Sequence, residues 1–178
     1  DCIDGVSQTE KKLAAMVART AKPVIVLVNK WDLADGKNVK EVSTGEYTDY
    51  VYQRLGALED APVAFVSALQ GKRLWQTLDL ARGLYKTWSS IVATARINDV
   101  IEAIKGGLEP PRAKRGTKPR IYYGTQIGIR PPTFAVFSSH AENIDADYKK
   151  YLSRALKAEL DLEAVPIRVV YRESHKTK

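Results

Sequence analysis

The sequence predicts an α/β unit with an incomplete parallel sheet, followed by a small α+β unit, and three observations carry that prediction. First, the runs Val24-Ile25-Val26-Leu27-Val28 and Ala61-Pro62-Val63-Ala64-Phe65-Val66 are short, apolar and end in polar residues, with a helical segment between them. Runs rich in β-branched residues read as strands buried on both faces of a parallel sheet. Second, the later half reads α-β-β-α-β, one three-stranded sheet backed by two helices, which is an α+β arrangement. Third, residues 1–88 carry 12 Lys+Arg against 11 Asp+Glu, while residues 89–178 carry 16 against 10. The basic excess belongs to the second half and points to a polyanionic partner there. The division is therefore placed at 1–88 and 89–178.

The elements follow in order. Ser7 and Glu10 form a capping box for a helix to about Thr20, with Leu13, Ala14, Met16 and Val17 on its inner face. A strand covers 23–29. Residues 33–44 make a polar loop with Lys37 and Lys40. Ser43 or Thr44 caps a helix to about 54, with Tyr47, Tyr50, Val51 and Leu55 inward and Gly56 ending it. The strand at 62–67 leads to a long helix from about Lys72 to Ser89, striped by Leu74, Leu78, Ala81, Leu84, Tyr85 and Trp88. In the second half, a helix from about Ile91 to Lys105 buries Ile97, Val100, Ile101 and Ile104 and stops at Gly106-Gly107. A strand from Ile121 to Ile129 turns at Pro131-Pro132 and returns antiparallel from Thr133 to Ser138. A helix from about Asp145 to Leu160, a last strand Ile167–Tyr171 and a frayed tail from Arg172 complete the chain.

Composition excludes several classes. No run approaches the roughly 18 apolar residues of a membrane span, so no membrane partner is expected. One cysteine, Cys2, allows no internal disulfide and fits a reducing, cytoplasmic setting. One Cys and two distant His, His140 and His175, do not make a zinc site.

Asn29, Lys30 and Asp32 stand just past the first strand, where open α/β sheets bind ligands. Asn-Lys-x-Asp resembles the guanine-reading motif of GTPases. An ionised Asp32 can accept from guanine's N1–H and 2-amino group together, whereas adenine offers it a bare lone pair. The Lys30 stem can lie along the base plane. Asn29 can bond the base edge or tie neighbouring loops. At the end of the second strand, Ser67-Ala68-Leu69 resembles the Ser-Ala-x motif of the same enzymes. That resemblance implies an Ala68 N–H directed at guanine O6 and a Ser67 that steadies Asp32's loop. The first unit is thus expected to be part of a P-loop GTPase-type sheet. No phosphate loop of the form G-x-x-x-x-G-K-S/T occurs in the sequence; Gly36-Lys37 and Gly71-Lys72 lack the earlier Gly and the following Ser or Thr. The remaining strands are expected before residue 1.

Longer stretches widen the likeness. Asp1-Cys2-Ile3-Asp4-Gly5-Val6-Ser7, Ile97-Asn98-Asp99-Val100, Ile121-Tyr122-Tyr123-Gly124-Thr125-Gln126, Arg130-Pro131-Pro132-Thr133-Phe134 and Pro166-Ile167-Arg168 resemble the EngA/Der double GTPases of bacteria over essentially the whole chain. The resemblance implies the end of a second G domain at 1–88 and a KH-like domain at 89–178. It implies a parent that uses GTP/GDP and Mg²⁺, acts in assembly of the large ribosomal subunit, and meets ribosomal RNA and its own N-terminal G domains. This chain alone is expected to be inactive. An RNA-clamping KH domain uses a G-x-x-G loop, which does not occur here. The RNA-facing candidates are therefore loop cations: Arg112, Lys114, Arg115, Lys118, Arg120 and Arg130. The alternative is a non-catalytic RNA- or protein-docking module with the G-domain remnant as scaffold.

Overall fold

A computed structural model describes residues 1–34, 43–107, 110–111 and 118–174. The chain separates into two compact units, Asp1–Lys86 and Thr87–Lys178. The expected polar loop falls largely on 35–42, outside the described residues, as do 175–178 of the tail.

The first unit begins with α1 (Gln8–Ala18), and the predicted capping box is present: Ser7 N–H donates to Glu10 at 2.6 Å, and Ser7 Oγ accepts from the Glu10 N–H. β1 is Val26–Val28 and β2 is Val63–Phe65; they pair in parallel with Val28 opposite Phe65. Between them, α2 (Thr44–Arg54) is capped by Ser43, with Glu46 closing a second box. Leu55 ends α2 as its C-cap, and Gly56 opens a 3-10 turn to Leu58. α3 spans Leu74–Trp88. The core joins Cys2, Ala14, Val28, Tyr47, Val51, Leu55 and Phe65. Gly5 takes φ +67°, and a Cβ there would stand 2.7 Å from the Tyr50 hydroxyl, which accepts from the Val6 N–H. That close approach requires glycine.

Three expectations fail here for one reason. β1 is three residues, not seven, and Leu27 remains 49 % exposed. On α1, Ala14 is buried but Leu13 and Met16 are exposed. On α3, Leu84 is buried while Leu74, Leu78 and Tyr85 are exposed. Side chains alternate across a strand, so Val26 and Val28 face the core and Leu27 the other side. Among the described residues the unit's sheet has two strands, against five or six in an average sheet. Two strands are too narrow to lie under both helical stripes.

The second unit contains α4 (Thr94–Gly107), β3 (Arg120–Gly128), β4 (Thr133–Ser139), α5 (Ala146–Glu159) and β5 (Arg168–Glu173). The sheet order is β3-β4-β5, antiparallel then parallel. Ile97, Val100, Ile101 and Ile104 of α4 are buried as predicted, with Tyr148, Leu152 and Leu156 of α5. α4 runs through Gly106-Gly107 instead of stopping before them.

The quoted Gly124-Thr125-Gln126 stretch has a structural reason. A Cβ at Gly124 would lie 2.6 Å from Ile101 Cδ1, so a larger residue there would force the Ile101 side chain to shift where α4 meets β3. Asn98 Oδ1 accepts the Gly124 N–H at 2.8 Å. Gln126 accepts from Val92 N–H and donates to Ser90 and Gly128 carbonyls, fastening the 90–92 segment to the strand. The tail expected to fray from Arg172 instead continues β5: the Glu173 carboxylate accepts the N–H groups of His140 and Ala141, both at 2.8 Å.

Candidate functional site

Parallel pairing puts the carboxyl ends of β1 and β2 at one edge, where ligands bind in such sheets. After Asn29, Lys30 takes a left-handed backbone conformation, φ +61°, and turns the chain into the 3-10 turn Trp31–Leu33 that carries Asp32. The Trp31 N–H donates to Val66 C=O at 3.1 Å, so the end of β2 holds this turn. The Trp31 ring packs on Phe65 at 4.4 Å and edge-on to Tyr47 at 5.5 Å. From the other strand, Ser67 and Lys72 exchange backbone hydrogen bonds of 3.0 and 3.3 Å and close a tight loop. Asn29, Lys30, Asp32, Ser67, Ala68 and Leu69 therefore gather at one edge.

Their partners differ in part from expectation. Of the two roles open to Asn29, the loop tie is present: its Oδ1 accepts the Ala68 N–H at 3.1 Å. The donor assigned to guanine O6 is thus engaged by Asn29. Ser67 is buried, but its Oγ accepts from the Gln70 N–H at 3.2 Å and holds its own loop, not Asp32's. A hydroxyl next to a turn bonds local N–H groups readily. Lys30 Nζ pairs with Asp1 Oδ2 at 2.7 Å. The chain start also braces the site. The Cys2 N–H donates to Asn29 C=O and its Sγ to Lys30 C=O, both at 3.0 Å, and burial pushes the thiol pKa up.

Asp32 is the unbalanced member. Its Oδ1 is shielded from solvent and has no hydrogen-bond partner among the described residues. Leaving such an oxygen unsatisfied costs about 1–3 kcal/mol, more for a charged group. Asp32 lines a cavity of about 510 Å³, together with Ser43, Phe65, Ser67, Lys72 and Arg73. The sequence reading missed Lys72 and Arg73 as lining residues. Gly71-Lys72 drew attention only as a failed phosphate loop, and the bridge that swings Lys72 back to Ser67 leaves no trace in periodicity. Among the described residues, no group of three or more His, Cys, Asp or Glu could hold a metal ion.

The loop cations are only partly described. Arg112, Lys114 and Arg115 lie outside the described residues. Lys118 and Arg120 line a cavity of about 300 Å³ in the second unit with Lys105 and Tyr122. Arg130 stands apart from it, at the β3–β4 turn, with φ +57° and its N–H on Trp88 C=O at 3.3 Å.

Comparison with known proteins places these two sites in context. Residues 1–107 match the family described as the elongation factor Tu GTP binding domain. Residues 92–172 match the KH-domain-like C-terminal region of EngA bacterial GTPase enzymes. The chain is 33% identical over 172 residues to the GTPase Der of Rippkaea orientalis, covering 97% of this chain and 37% of that protein. It is 33% identical over 177 residues to the GTPase Der of Ruminiclostridium cellulolyticum, covering 99% and 39%. It is 34% identical over 177 residues to the GTPase Der of Trichormus variabilis, covering 97% and 37%. The chain thus spans well under half the length of these relatives.

Proposed function

The chain belongs to the EngA/Der family of GTPases, and from that premise we propose that its first unit reads the guanine base for a GTP-hydrolysing protein of large-subunit ribosome assembly. Asp32 accepts from the two adjacent donors of guanine, Asn29 holds the Ser67-Ala68-Leu69 loop against the base, and Lys30 covers its plane. Other segments of the same protein, outside these 178 residues, supply the phosphate contacts and Mg²⁺. The second unit docks on ribosomal RNA, with Arg112, Lys114, Arg115, Lys118, Arg120 and Arg130 as its cations. The protein works in the cytoplasm.

One observation supports the guanine reading above the others: Asp32, which lines the cavity at the strand ends, has a buried Oδ1 with no hydrogen-bond partner among the described residues. A pair of N–H donors in one plane is what that carboxylate lacks. The scaffold alternative also has an observation behind it, because the Ala68 N–H is already engaged by Asn29.

A nuclear magnetic resonance titration separates the two. Base contacts without a phosphate loop must overcome an association cost of about 4 kcal/mol or more. GTP therefore binds this chain no tighter than about millimolar. It should shift the amides of 29–32 and 67–69, while ATP leaves them in place. In Asp32→Asn the preference should move from GTP to xanthosine triphosphate, which offers an oxygen where guanine has its amino group. Equal shifts with ATP and GTP would establish the scaffold reading.

A further inference from the structure

The sheet of the second unit has its helices on one face. Gly124, Val136 and Phe134 point to α4 and α5, as the Gly124 contacts and the burial of Phe134 and Val136 require. Alternation then sets the opposite face. Register aligns Tyr123 with Phe137 and Phe137 with Arg172, so one row crosses all three strands. The next rows hold Ala135, itself fully buried, beside Val170, then Thr133 and Arg168, while the Thr125 hydroxyl turns to Thr94 of α4 at 3.3 Å. This face is aromatic and cationic at once. The rings of Tyr123 and Phe137 are stacked, with centroids 4.5 Å apart and planes 14° from parallel. Tyr123 is 44 % exposed, and Val170 is exposed beside them. Arg168 and Arg172 are exposed, with no carboxylate within 4.0 Å among the described residues.

We propose that this open sheet face binds single-stranded RNA, an unpaired base extending the Tyr123–Phe137 stack while Arg168 and Arg172 take the adjoining phosphates. The charge selects the occupant. A purely apolar face would suit a protein, but two guanidinium groups with no carboxylate partner among the described residues, beside stacked rings, complement a ligand that is both polyanionic and aromatic. Bases inside a duplex have their faces covered and cannot add to the stack. Neighbouring strands lie roughly 4.8 Å apart, so the arginine row of β5 runs about two strand spacings from Tyr123, parallel to it. The inference rests on the reading that this unit docks RNA, and it narrows the target to unpaired bases stacked on the sheet.

The test uses the full 178-residue chain and fluorescence anisotropy with a single strand of roughly twelve adenosines, a length within the site sizes of such grooves. Tyr123→Ala should weaken binding about tenfold or more, in keeping with base–aromatic stacking, and Tyr123→Phe should restore it to within about twofold, because the ring is kept. Replacing Arg168 and Arg172 with Ala should flatten the log–log salt slope by roughly 1.4. An RNA duplex of the same length should bind at least about tenfold more weakly. If Tyr123→Ala does not fold by its amide spectrum, the exposed charge reversals Arg168→Glu and Arg172→Glu carry the test and must produce the same order of loss. Undiminished affinity in these variants, or a duplex bound as tightly as the single strand, overturns the proposal. So does a dimer in sedimentation that Tyr123→Ala converts to monomer with RNA affinity intact, which would make the face a protein interface. Ribosomal RNA bound independently of Tyr123 defeats the sheet face alone; no binding to any RNA defeats the docking reading too.

Discussion

The two units are built from similar parts and differ in how their apolar rows are covered. In the second unit, α4 and α5 set Ile97, Ile101, Leu152 and Leu156 against Phe134 and Val136, and all six are fully buried. In the first, α3 has a clear apolar stripe, yet Leu78 within it is 50 % exposed and Trp75 on its flank is 77 % exposed. Periodicity alone is the same in both. Amphipathic spacing makes a helix able to bury a face, but burial depends on a sheet wide enough to receive it. Among the described residues, three strands suffice for two helices in the second unit, and two strands do not suffice for three in the first.

The largest effect expected from this contrast is on stability. Phe134→Ala should cost the second unit about 3–5 kcal/mol, whereas Trp75→Ala should change the first by no more than about 0.5 kcal/mol. Urea unfolding, followed separately in each unit by resolved amide signals, measures both. A Trp75→Ala cost above about 2 kcal/mol would mean that α3 is covered in solution.

A smaller effect sharpens the contrast inside the first unit. Asp32→Asn replaces a carboxylate whose Oδ1 has no partner among the described residues with a neutral amide, so without nucleotide the unit should gain up to about 1 kcal/mol. Thermal unfolding without ligand reads this directly, and a loss of stability would mean that Asp32 already has a partner.

The smallest effect is one of pH. Hydrogen bonds from Ser7, through its side chain and then its backbone, hold the Glu10 carboxyl below the usual range. The Ser43 backbone N–H, then its hydroxyl, does the same for Glu46. Both values are depressed on folding, so their contribution is complete above the unfolded value of about 4.3 and fades as pH falls through the lower folded values. Hydrogen exchange near pH 3 should therefore show α1 and α2 loosening before α4. Earlier loosening of α4 would reverse the comparison.

Legibility follows the same line. The four buried isoleucine and valine positions of α4 were readable because one apolar row met one complete sheet. Ser7–Glu10 was readable because a capping box is local, its two partners lying at the N-cap and N3 of one helix. Leu27 was misread as buried, since a run of β-branched residues does not say how many strands flank it. The stacking of Tyr123 on Phe137 was hidden by the register shift between Ile121 and Tyr123, which breaks the strict alternation that would have assigned the ring to a face. The engagement of the Ala68 N–H by Asn29 joins residues 39 apart, and nothing local encodes it. Arg172 and Glu173 looked like tail because their charges suit solvent, yet Glu173 has two backbone donors waiting across the sheet.

That carboxylate also sets an order of events. β4 is central in the sheet, and its second neighbour, β5, is synthesised about thirty residues later, after α5. Closing a loop of that length costs roughly 3 kcal/mol of chain entropy, and until it closes one side of β4 has no strand beside it. The clasp between Glu173 and the His140–Ala141 turn joins both ends of the intervening segment. A ribosome making this chain therefore exposes a half-built sheet first, and the hydrogen bonds that fasten it wait for Glu173 to emerge.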